Sequence, residues 1–213
     1  MLNVCPACGL YRADQIVEAG APGASAASVV VCPACGARRS FVRGPLLVVT
    51  GASGAGKSTV CNRLLGHVHD AVLLDADILW RPEFDTPADC YRTFFDLWLR
   101  LCKNINQSGR PVVLFGAGIG VPANLEGCVE RRYFSTIAYL ALVCDDDVLA
   151  ERLHARPAWR AAGSAAYIAE HQQFNRWFRA YGDHQPPITQ IDTTGVDAAT
   201  TTRQVAAWIA ATI

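Results

Sequence analysis

The constraint that most narrows what this chain can fold into lies at Gly51-Ala52-Ser53-Gly54-Ala55-Gly56-Lys57-Ser58, which satisfies the spacing GxxxxGK[ST]. The apolar run Leu46-Leu47-Val48-Val49 precedes it and reads as a buried strand, while the residues from Lys57 onward read as a helix. A glycine-rich turn between a strand and a helix lets backbone N–H groups wrap a phosphate without side-chain obstruction. Lys57 is then placed to reach the β- and γ-phosphates and the Ser58 hydroxyl to ligate Mg²⁺. The pattern implies a site for ATP or GTP.

With 213 residues the chain can bury one main domain plus a small appendage. Its 19 basic and 19 acidic side chains cancel, so no bulk charge draws it to nucleic acid or to a membrane surface. No apolar stretch approaches the roughly 20 residues of a membrane span, and the N-terminal residues lack the charged and apolar regions of a signal peptide. A cytoplasmic protein is expected, and there nine cysteines argue against a disulfide framework.

Four of those cysteines are grouped. Cys5-Pro6-Ala7-Cys8-Gly9 and Cys32-Pro33-Ala34-Cys35-Gly36 repeat the same five residues, the spacing of two knuckles that bring four thiolates around one Zn²⁺. A single redox CxxC beside a thioredoxin-like unit is the competing reading, and neither pair has such a unit next to it. Residues 1–44 are therefore expected to form a zinc ribbon whose metal is needed for folding, with Cys5, Cys8, Cys32 and Cys35 as ligands. Arg38, Arg39 and Arg43 follow the second knuckle and can serve either as a solvated face or as phosphate contacts for nucleic acid, the less favoured use.

From residue 45 to 213 strand and helix signals alternate, which predicts a parallel sheet with right-handed crossovers. Expected strands are 46–50, 71–74, 112–115, 136–143 and 188–191; expected helices are 57–65, 88–107, 123–133, 146–155, 164–181 and 198–211. The second strand ends in Asp75-Ala76-Asp77, two carboxylates at the carboxyl end of a strand beside the phosphate loop, where ligands bind in open α/β sheets. One can accept a proton from an attacking hydroxyl, Asp75 being the favoured base, while the other orients that hydroxyl or holds Mg²⁺ through water. Either can instead cap the following turn.

Arg152, Arg156 and Arg160 share one helix face, suited to the charge on a transferring phosphoryl group, and suggest a lid over residues 152–163. A solvated basic face paired with Glu151 and Asp145-Asp146-Asp147 is the alternative. Asp192-Thr193-Thr194-Gly195 follows the last strand, where it can approach a nucleotide or serve as an exposed turn. Tyr91, Phe94, Phe95, Trp98 and Leu101 lie at helical spacing and are expected in the core, with some walling an acceptor pocket.

Taken in this order, the phosphate loop, the aspartate pair, the arginine helix and the Asp192-Thr193 turn resemble P-loop small-molecule kinases: nucleoside and nucleotide kinases and the adenylylsulfate, shikimate and gluconate kinases. The resemblance implies an α/β P-loop NTPase fold, a three-layer sandwich around a five-stranded parallel sheet ordered 2-3-1-4-5. It implies ATP and Mg²⁺ on Gly51, Ala52, Ser53, Gly54, Ala55, Gly56, Lys57, Ser58 and Thr59, with Asp192 and Thr193 nearby. A small acceptor would sit by Asp75 and Asp77 beneath the arginine lid. The third strand leads into Gly116-Ala117-Gly118-Ile119-Gly120 without the basic residue that many of these kinases use to hold an anionic acceptor. A neutral hydroxyl acceptor such as a nucleoside or sugar is favoured, with Arg81, Arg131 or Arg132 as possible replacements for that charge. Two further readings are a nucleotide-driven ATPase or switch whose ribbon contacts a macromolecule, and a polynucleotide kinase.

Overall fold

The computed structural model describes residues 2–18, 27–157 and 162–213. Strands β1 (Ile16–Glu18), β2 (Ala27–Val31) and β3 (Arg38–Val42) form a small antiparallel sheet in the order β1-β2-β3. Strands β4 (Leu46–Thr50), β5 (Val72–Asp75), β6 (Val112–Phe115), β7 (Ile137–Val143) and β8 (Ile188–Asp192) form a second sheet, all parallel, in the order β5-β6-β4-β7-β8. Counted from β4, that is the order 2-3-1-4-5 of an α/β P-loop NTPase fold.

All five residues of β4 are buried, because a central parallel strand is covered on both faces. Leu46 and Val48 point into one apolar layer with Phe94, Phe95 and Trp98 of α2 (Arg92–Asn106) and Phe178 of α5 (Ala165–Arg179). Leu47 and Val49 point into the other with Val60 and Leu64 of α1 (Lys57–Leu64) and Val205 and Ile209 of α6 (Ala198–Thr212). The two-residue period of the strand thus divides one apolar run between two helical layers. Two shorter helices complete this body, α3 (Pro122–Glu126) and α4 (Asp146–His154).

Two expected helices are shorter than the sequence suggests. Cys90 and Tyr91 adopt left-handed φ values of 54° and 57°, so α2 begins at Arg92 and a separate 3₁₀ turn covers Pro87–Asp89. The expected helix 123–133 divides into α3 and a 3₁₀ segment, Val129–Tyr133. Among the described residues no helix is long and apolar enough to cross a membrane.

The small sheet is fastened to this body through the far end of α2 and the Val129–Tyr133 turn. Tyr133 is buried with Leu2, Val30 and Phe41, and its hydroxyl donates to the Ala13 carbonyl at 2.7 Å. The Gln107 side chain donates to the Val42 carbonyl at 2.9 Å and accepts from the Val42 N–H at 3.0 Å, imitating one more strand pairing. Beneath them Lys103 and Glu130 form a fully buried ion pair. Glu130 also accepts from Arg100 at 3.0 Å and Asn3 at 3.2 Å, and the Lys103 ammonium lies 3.7 Å from the Tyr133 ring centroid.

Removing one member of such a pair strands a buried charge, whereas replacing both with apolar groups does not. In urea unfolding, Glu130→Ala is expected to cost about 3–5 kcal/mol, and Lys103→Met combined with Glu130→Leu to fall within about 1 kcal/mol of the parent.

Candidate functional site

The turn after β4 is held against the neighbouring strand more tightly than any side chain permits. Gly51 has a φ of 136°, and a Cβ there would lie 2.3 Å from the Leu142 carbonyl oxygen of β7. Gly56, with a φ of 109°, closes the turn and starts α1 without a side-chain cap. The amide groups at the start of α1 are thereby left to face the cavity at its N-terminus, the arrangement that favours an anion.

Lys57 curls back over the turn, its ammonium donating to the carbonyls of Gly51 at 2.8 Å and Ala52 at 3.0 Å. Burial lowers its pKa to about 8; Arg156 acts in the same direction, while Asp77 and, more weakly, Asp75 oppose it. At neutral pH the group still carries its charge, and it lines the cavity over the turn.

A cavity of about 370 Å³ opens over this turn, lined by Gly54 to Val60 together with Arg152, Arg156 and Thr193. Arg152 is fixed there by donating to the Thr193 hydroxyl at 2.9 Å and the Thr193 carbonyl at 2.8 Å. Thr193 is buried and belongs to the cavity wall, whereas Asp192 caps its own turn: its carboxylate accepts from the Thr194 N–H at 2.8 Å. Those Thr194 bonds hold Asp192 below the usual carboxylate range. Of the expected loop residues, Gly51 and Ala52 form the buried floor of the turn, and Ser58 and Thr59 line the cavity with exposed side chains. Arg160 lies outside the described residues, as does part of the expected lid over 152–163.

The aspartates divide their surroundings. Asp75 ends β5 and accepts from the Asp77 N–H at 2.9 Å, so it caps the 3₁₀ turn Ala76–Leu79. Asp77 instead lines a second cavity of about 740 Å³, walled by Trp80, Tyr91, Phe94, Phe95, Phe174 and Trp177, with Asp85, Glu170 and His171 also on its surface. Trp98, placed by the sequence on the same helix face, is fully buried in the core.

Helix α5 lines the second cavity and reaches the phosphate loop, and nothing in the sequence marked it as more than an amphipathic helix. The Tyr167 hydroxyl donates to Ser53 of the loop at 3.1 Å, and its ring meets His171 edge-on at 4.3 Å. The Nδ1 of His171 is buried with no hydrogen-bond partner. Burial draws this imidazole below its ordinary pKa, Glu170 opposing the effect and Lys57 and Arg156 adding to it, which favours the neutral form.

Two of the three arginines considered as replacements for an anion-holding group are engaged elsewhere. Arg131 pairs with Glu126 at 2.6 Å, and Arg132 donates to the carbonyls of Val129, Asp14 and Gln15. Arg81 is not among the residues lining the second cavity. Asp145 and Asp146 pair with Arg179 and Arg176, both at the C-terminal end of α5.

In the N-terminal sheet the sulfurs of Cys5, Cys8, Cys32 and Cys35 all lie within 4.8 Å of one another, with Cys5 to Cys35 and Cys8 to Cys32 both 3.7 Å apart. Four thiolates around Zn²⁺ at its usual bond length would be separated by roughly 3.8 Å, so the donor set fits that ion. Arg38 pairs with Glu18, Arg39 donates to the Leu2 carbonyl and Arg43 to the Arg132 carbonyl, so all three arginines bond within the small sheet or its junction.

A family model described as AAA domain matches residues 47–165, from within β4 to the first residue of α5. The chain belongs to that family. No curated protein matches it in sequence. Among solved structures it is similar to a sugar kinase from a Janibacter species, with a TM-score of 0.57 and 15% identity over 78% of this chain and 94% of the other. It is also similar to a gluconokinase from Sinorhizobium meliloti (0.54, 20% identity, 80% and 93% covered) and a tunicamycin resistance protein from Deinococcus radiodurans (0.52, 14% identity, 78% and 96% covered). At these identities the likeness establishes a shared P-loop fold.

The turn geometry yields a comparison of two glycines. Gly51→Ala meets both an unfavourable φ and the Leu142 carbonyl, whereas Gly56→Ala meets only the φ, with open space at its Cβ. Thermal or urea unfolding should show Gly56→Ala costing about 1–2 kcal/mol, and Gly51→Ala costing more and also abolishing binding of a fluorescent ATP analogue.

Proposed function

We propose that this chain is an ATP-dependent kinase that transfers the γ-phosphoryl group to a hydroxyl of a small acceptor, a nucleoside or related metabolite. The observation that carries this reading is a pair of chemically opposite cavities, one lined by Lys57 and the other by Asp77, whose charges interact. One is basic and built on the phosphate loop; the other is aromatic and acidic and has room for a small organic molecule.

In this reading the loop from Gly51 to Thr59 binds the ATP phosphates and Ser58 holds Mg²⁺, which neutralises charge on the β- and γ-oxygens when bound. Lys57, Arg152 and Arg156 stabilise the charge on the transferring group, with Arg160 as a further candidate on the lid. The acceptor oxygen bonds to the γ-phosphorus as the bond to the bridging oxygen breaks and ADP leaves, and the hydroxyl proton passes to a carboxylate. Asp75 is the base favoured by sequence, but its capping bond and the position of Asp77 in the acceptor cavity support Asp77 in that role, with Asp75 fixing the turn. Thr193 and Asp192 flank the nucleotide side.

Residues 1–44 are proposed as a separate zinc-binding unit and 45–213 as the kinase unit. Cys5, Cys8, Cys32 and Cys35 would hold Zn²⁺, whose contribution is folding energy for a sheet with a small core of its own.

Two experiments test these assignments. ATP consumption with Mg²⁺ is measured against nucleosides, nucleoside monophosphates, sugars and short oligonucleotides, with Lys57→Ala as blank. Acceptor-dependent ADP release is expected, and Asp77→Asn should lower it at least about a hundredfold while ATP binding stays within about threefold; slow hydrolysis indifferent to every acceptor would replace the kinase with an ATPase. Metal analysis should find close to one zinc per chain, released by Cys32→Ser; protein that folds without metal would remove the zinc assignment.

A further inference from the structure

Among the described residues lining it, the second cavity carries no lysine or arginine. Three carboxylates face it, Asp77, Asp85 and Glu170, and the one basic group among its described lining residues is His171, buried at Nδ1 and drawn toward the neutral form. Of the arginines that could have supplied an anion-binding charge, Arg131 is held by Glu126 and Arg132 by backbone carbonyls of the N-terminal segment, and Arg81 is not among the residues lining the cavity. An acceptor with a carboxylate or phosphate would therefore enter a site of its own charge. The aromatic faces attract an ammonium through their π-electrons.

We propose that the second cavity takes an acceptor alcohol that carries a protonated amine and a flat apolar body, with Asp85, Glu170 and the Trp80 and Trp177 rings recognising the ammonium. This inference rests on the kinase reading above and replaces the neutral acceptor expected from the sequence with a cationic one. The apolar body packs on Phe94 and Phe95, where α2 and the 3₁₀ turn after β5 meet. The hydroxyl is then directed to Asp77, next to the cations of the phosphate loop. The two cavities thus sort a positively charged alcohol from a negatively charged nucleotide by charge before any detailed fit is made.

The test uses the full-length protein with Mg²⁺ and a non-hydrolysable ATP analogue, and three probes that share an aromatic ring and a hydroxyl: phenylalaninol, its neutral N-acetyl derivative and the anionic 3-phenyllactate. Binding is followed calorimetrically. Phenylalaninol is expected to bind about tenfold more tightly than the N-acetyl compound, with phenyllactate weakest. In Asp85→Asn/Glu170→Gln the first two should become equal to within about threefold, while the ATP analogue binds as before and the thermal midpoint is retained. Overturning results are an equal or reversed order in the parent, an order that survives the double substitution, or no phenylalaninol binding in the millimolar range. Acceptor-dependent ADP release with neutral or anionic acceptors preferred would sink this inference and leave the kinase; ADP release that ignores every acceptor would sink the kinase itself.

Discussion

The structure depends on the passage of the chain from β4 into α1 directly against the carbonyl of Leu142. That contact sets the height of the phosphate loop above the sheet, and a glycine at position 51 is what allows it. Because β4 is buried on both faces and paired on both edges, the loop it delivers cannot shift without moving β6 and β7. The Arg152 guanidinium, tied to Thr193 beyond β8, is thereby held at a fixed distance from a turn about 100 residues away in sequence. Coulombic interactions weaken with distance and with water, so a site that relies on charge needs this rigidity more than it needs many contacts.

Charge is distributed with the same economy. Cations gather where β4 and β8 end, and carboxylates gather where β5 ends, on either side of one sheet margin. Lys57 registers both sides, since its ionisation is suppressed by Arg156 and supported by Asp77 and Asp75. The zero net charge of the whole chain conceals this local polarity, which is why net charge alone says so little about what the protein holds.

How much was legible in the sequence followed how local the signal was. The phosphate loop, the strand before it and the repeated Cys-Pro-Ala-Cys-Gly knuckles are short patterns whose spacing already encodes their geometry, and the sheet order followed from the family resemblance. Asp75 and Asp77 could be recognised at the end of a strand, but which one caps the turn depends on a single backbone N–H. The start of α2 was misread because the left-handed Cys90 and Tyr91 carry residue types that give no warning of it. Tyr167, Glu170, His171 and Trp177 were invisible as site residues: they occupy one stretch of an ordinary amphipathic helix, and only tertiary packing brings that stretch over a loop more than 100 positions earlier.

Helix α2 has two unrelated tasks at its two ends. Its first turns supply the aromatic wall of the second cavity, and its last turn, through Lys103 and Gln107, grips the N-terminal sheet. Fifteen residues of helix make a rod about 22 Å long that bends little. The N-terminal sheet and the cavity are thus mounted on one lever, so a tilt imposed at either end is delivered to the other along the helix.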